Sequence, residues 1–79
     1  MKRLIDLPAD FCHISIFEWN NKYILKFESN QLEQTYKINT WDVADIQSLI
    51  NLIDASFLEE VKELFIKMND LLTKSISRL

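Results

Sequence analysis

Cys12 and His13 are adjacent in the chain, and a neighbouring thiol and imidazole suggest a nucleophile with its base. The surrounding pattern argues against that pairing. From Phe11 to Asn39 polar and apolar residues alternate, so successive side chains point to opposite faces of a sheet. Cys12 then joins Ile14 and Ile16 inside as a small inert apolar group, while His13 joins Ser15 and Phe17 outside. In the same register His13 faces Glu28. An imidazole and a carboxylate can share a metal ion or a proton, but a third ligand at a suitable spacing is missing, with Asp10 the one nearby acid. A cross-strand charge pair accounts for both residues. Tyr23 and Tyr36 fall on the inward side, and a small ligand-binding or enzymatic pocket between sheet and helices would depend on them and on His13. Buried tyrosines also satisfy their hydroxyls against the protein's own groups.

Other chemistries lack their residues. The chain has no glycine, so a phosphate-cradling loop, whose backbone needs positive φ or close approach to a ligand, cannot be built. One Cys, one His and one Pro leave no set for a metal centre or a catalytic triad. The expectation is a non-enzymatic protein with no catalytic residue, no cofactor and no metal.

At 79 residues the chain reads as one domain. A domain of this size buries roughly 60% of its unfolded surface, which makes self-association a reasonable source of added stability. The composition is 48% hydrophobic, yet no apolar run exceeds three residues, which argues against a membrane span. Lys2 and Arg3 give a basic start, but Asp6 interrupts any signal-like apolar region, and a single cysteine cannot form an internal disulfide, so a cytoplasmic setting is expected. The net charge is −3, with five bases and five acids in residues 1–40 and four bases and seven acids in residues 41–79. Such a balance disfavours direct nucleic-acid binding, which needs excess Lys and Arg.

The elements that must position these residues follow from periodicity. Asn20-Asn21 and Ser29-Asn30 stand where glycine would ordinarily make a tight hairpin turn, and Asn tolerates the left-handed region best among the rest. The first turn pairs Ile16 with Leu25 and Ile14 with Phe27 on one face, and Phe17 with Ile24 and Trp19 with Lys22 on the other. The second predicts Phe27 opposite Leu32, Leu25 opposite Gln34, Tyr23 opposite Tyr36 and Lys26 opposite Glu33. Strands are expected at about 11–19, 22–28 and 31–38, with Lys2 to Leu7 as a fourth edge strand ended by Pro8. The period then becomes 3.6, predicting helices at about 41–53, capped by Asn39 or Thr40, and 57–77, opened by a Ser56 and Glu59 capping box. The fold class is α+β: an antiparallel meander of three or four strands, then two helices packed on one face. The second helix is longer than such a sheet needs, so its end at Leu72, Ile76 and Leu79 is a candidate contact for another chain. Phe57, Val61, Leu64, Met68 and Leu71 also keep a heptad spacing over two repeats, which packing on the sheet explains equally well.

Two surfaces remain for function. On the outer sheet face Phe17, Trp19 and Ile24 form an apolar patch ringed by Lys22, Lys26, Glu33, Thr35 and Lys37, the composition of a protein interface unless the N-terminal segment folds over it with Leu4, Ile5 and Leu7. Single-stranded bases could stack there, but the nearby carboxylates make a poor electrostatic funnel. The second surface is acidic, with Asp42, Asp45, Asp54, Glu59, Glu60 and Glu63 able to imitate phosphates; favourable placement in the first helical turns explains the same residues.

The strand pairs around Asn20-Asn21 and Ser29-Asn30, followed by Trp41-Asp42-Val43 opening a helix, give a layout that resembles some small phage anti-CRISPR proteins over residues 11–77. The resemblance implies a protein that inhibits a larger defence complex by binding its surface, and carries over no individual site residue. The combined expectation is a module with a protein partner, an inhibitor or adaptor acting by occlusion through Phe17, Trp19 and Ile24 or through Glu59, Glu60 and Glu63, with a homodimer as a further expectation.

Overall fold

The computed structural model describes residues 1–79, as a four-stranded antiparallel sheet followed by two helices. The strands are β1 (Lys2–Pro8), β2 (His13–Trp19), β3 (Lys22–Ser29) and β4 (Leu32–Asn39), in the spatial order β1-β2-β3-β4. A 3-10 turn at Thr40–Asp42 leads to α1 (Ile46–Leu52) and α2 (Ala55–Ile76).

The first hairpin has the predicted register, from His13 opposite Glu28 to Trp19 opposite Lys22. Asn20 and Asn21 take φ of 53° and 61°, the paired left-handed conformation whose twist suits a two-residue hairpin. The second hairpin differs from expectation by two residues. Asn30 has φ of 55° and Ser29 stays in the strand opposite Leu32, so the turn is Asn30-Gln31. Asn takes the left-handed position that Ser would occupy at greater cost. Phe27 therefore faces Gln34, Leu25 faces Tyr36, Tyr23 faces Ile38, and Lys26 faces Thr35. A shift of two keeps every side chain on its predicted face, because the strand repeat is also two. The fourth strand forms at the edge beside β2, with a bulge between Arg3 and Ile5 that lets both Leu4 and Ile5 pack against the core.

The helical region departs further. Instead of one helix over 41–53, the chain makes the short 3-10 turn, extends at Val43, and begins α1 at Ile46. Asp45 supplies the cap, its side chain accepting from the Ser48 amide. Asp54, not Ser56, caps α2 by accepting from the Phe57 amide at 2.9 Å, so Ser56 lies within the helix and the expected capping box does not form. A carboxylate is at least as good a cap as a hydroxyl, which favours the earlier start.

The helices cover one face of the sheet. Ile14, Ile16, Leu25 and Phe27 meet Leu49, Val61 and Phe65 in the buried core. Phe27, Tyr36 and Phe57 pack with ring centroids 5.8–6.1 Å apart, and Phe11 meets Phe65 edge-on at 6.4 Å. No helix is long and apolar enough to cross a membrane.

Candidate protein-binding face

The outer face of the sheet carries no helix, and the residues singled out there gather as strand alternation requires. Trp19, Ile24, Lys26, Glu33, Thr35 and Lys37 line a shallow groove of about 500 Å³, joined by Met1. Lys22 lies beside it, opposite Trp19 at the closed end of the β2–β3 hairpin. The N-terminal segment does not fold over this face; it lies at the sheet edge as β1, sending Leu4, Ile5 and Leu7 to the core. Trp19 is left 54% exposed.

The apolar patch is nonetheless narrower than its three residues suggested. Ile24 is only 5% exposed. Phe17 is half-buried, with the Arg3 guanidinium 5.2 Å and the Lys26 ammonium 5.6 Å from its ring centroid, cation–π distances that hold both cations against the ring. The available anchors are therefore Trp19 and Met1. Arg3 and Met1 were not legible as members of this face, because their placement depends on how β1 pairs with β2. Lys26 and Glu33 approach at 4.0 Å diagonally, and the Thr35 hydroxyl donates to Glu33 at 3.0 Å, so both neighbours engage the carboxylate that stands opposite Glu28 in the ladder. Lys22 and Lys37 form no ion pair, so the groove has free positive charge on its rim.

The catalytic candidates separate. Cys12 lies just before β2, half-buried against the core, and burial pushes its thiol up from the ordinary cysteine value, which suppresses the reactive thiolate. His13 is exposed on the other side of the sheet. It stands opposite Glu28 in the ladder, but its Nε2 contacts Asp6 at 3.5 Å, and Asp6 also meets Arg3 at 3.4 Å. Asp6, and not Glu28 or Asp10, is the acid beside the imidazole, because β1 brings it across from Ser15. No three His, Cys, Asp or Glu side chains converge in a geometry that could hold a metal.

Tyr23, Tyr36 and His13 do not share a pocket. His13 is on the opposite face from the two tyrosines, and the Tyr36 hydroxyl donates to Gln34. The Gln34 amide in turn donates to the Val61 carbonyl at 3.0 Å, a buried link from β4 to the second turn of α2 that strand alternation does not encode. Tyr23 borders an open crevice with Leu4, Ile5, Ile46 and Ile50.

Glu59, Glu60 and Glu63 are all exposed on α2, but in its second and third turns. The helix has no acid in its first turn, so the helix-dipole explanation applies to the caps Asp45 and Asp54 and only weakly to these three. Comparison with protein-family models, curated proteins and solved structures finds no match to this chain.

Proposed function

We propose that the chain is a non-enzymatic protein-binding module that acts in the cytoplasm as a small inhibitor or adaptor, occluding a surface of a larger complex. One observation carries this reading: the helices cover only the inner face, leaving an exposed tryptophan in a cationic groove on the other. A rigid aromatic anchor within a charged rim is the arrangement protein interfaces favour. The unpaired Lys22 and Lys37 suit a partner segment with an apolar residue flanked by carboxylates. The layout resemblance to anti-CRISPR proteins supports the inhibitor form over the adaptor.

Trp19→Ala tests the reading, since a half-exposed residue at a hairpin end can be truncated without opening the core. Wild-type and variant chains are immobilised and the proteins each retains from a lysate are compared by mass spectrometry, with circular dichroism checking the fold. The expected result is a protein retained by the wild type and lost by Trp19→Ala at unchanged secondary structure. Retention undiminished by Trp19→Ala but lost on Glu59→Lys with Glu60→Lys would move the interface to the acidic helical surface.

A further inference from the structure

We infer that the outer half of α2 packs antiparallel along the exposed Leu64 border of α2 in a second copy of the chain, forming a homodimer centred near Met68. The helix leaves its own sheet at the β3–β4 turn, where Phe65 and Asn69 border Ser29, Asn30 and Gln31, and Met68 is the last α2 side chain packed against the core. The apolar stripe continues without that support. Leu72 and Ile76 extend the line of Val61, Phe65 and Met68 at helical spacing, with Leu64 and Leu71 along one border. Leu71 is 65% and Ile76 55% exposed, and Leu64 and Leu72 are exposed as well.

The charges identify the occupant. Glu59, Glu60 and Glu63 belong to the first half of α2, while Lys67, Lys74 and Arg78 belong to the second half and the residues after it, with Lys62 and Asp70 as exceptions. A second copy running in the opposite direction sets the acidic half of each helix beside the basic half of the other, with Leu64 near the second copy's Leu72 and Lys74 near its Glu63. A parallel copy sets like charges together, and an anionic lipid surface meets the glutamates. Leu64 to Ile76 spans about 18 Å of helix at 1.5 Å per residue. Such a contact falls at the small end of specific interfaces, so the expected dimer is a dissociable one.

Sedimentation equilibrium of the full chain from about 1 µM to 1 mM tests this. Wild type is expected to pass from monomer to dimer, and Leu71→Glu with Ile76→Glu to weaken association at least about tenfold at unchanged circular dichroism, since both residues are exposed. Lys74→Glu with Arg78→Glu should weaken it too, and mixing that chain with Glu60→Lys, Glu63→Lys should restore a heterodimer. A wild type that stays monomeric throughout, or a dimer indifferent to Leu71→Glu with Ile76→Glu, overturns the interface. A Lys74→Glu, Arg78→Glu chain that dimerises as tightly as wild type overturns its antiparallel direction, because a parallel pair would only exchange one set of like charges for another. Wild-type monomer that co-sediments with phosphatidylglycerol vesicles assigns the stripe to a lipid surface instead.

Discussion

Gln34 and Ser15 are the two buried polar residues, and they lie on opposite faces of the sheet in opposite circumstances. Gln34 is engaged at both ends of its amide, its oxygen accepting from Tyr36 and its nitrogen donating to Val61. Removing one member strands the other: Gln34→Leu should cost about 1–3 kcal/mol in urea unfolding, and adding Tyr36→Phe should recover part of it, because deleting both partners of a buried hydrogen bond is far cheaper than deleting one. Ser15 lies in the middle of the outer face, and its buried hydroxyl finds no partner among the protein's own groups. Ser15→Ala should therefore be neutral or stabilising by up to about 1 kcal/mol, and a clear loss of stability in the same assay would show that the hydroxyl has a partner in solution.

At the level of elements, the short carboxylate caps decide where helices begin. Asp54→Ala should destabilise the protein by about 1 kcal/mol while Ser56→Ala, one residue into the helix, should leave the unfolding midpoint almost unchanged. The reverse pattern would restore the Ser56 capping box. Asp45 adds a pH dependence. Hydrogen bonds from the Ser48 amide and then its side chain hold the Asp45 carboxyl below the ordinary aspartate value. A group depressed in the folded state contributes its stability above its unfolded pKa and loses it as pH falls through the folded value. The Ser48 amide resonance should thus be constant at neutral pH and move only in acid below the usual aspartate range, and Asp45→Asn should abolish that movement. The hairpin makes a parallel case: Asn21→Ala should cost about 1 kcal/mol by placing an ordinary side chain at φ 61°, and Asn21→Gly should not.

The whole molecule is elongated, 46 × 26 × 19 Å, with a Cα radius of gyration of 14.2 Å. A compact chain of this length would have a radius of about 12 Å. The excess comes from α2, which continues past the sheet it covers. Its two halves should therefore differ in stability. In the Leu71→Glu, Ile76→Glu chain, amides from Asp70 to Ile76 should exchange hydrogen much faster than those from Leu58 to Met68, because only the latter turns are held by the core. Uniform protection along α2 would mean that the outer half is stable without any contact.

Local signals settled much of this architecture. Asn20-Asn21 and the apolar alternation from Ile14 to Phe27 dictate the first hairpin and the face of every residue on it, because a two-residue turn and a two-residue strand repeat admit one consistent pairing. The long α2 stripe was equally plain from its 3.6-residue period. Other outcomes depended on contacts between distant segments. Pro8 points to an edge strand over Lys2 to Leu7, but that this strand pairs with β2, leaves Trp19 uncovered, brings Asp6 to His13 and lays Arg3 on Phe17 is encoded in no local pattern. The reach of Gln34 to Val61 crosses 27 residues. Periodicity determines which side of an element a residue occupies; only the packing of whole elements decides what meets it there, because that depends on where the sheet ends and how far the helix runs beyond it.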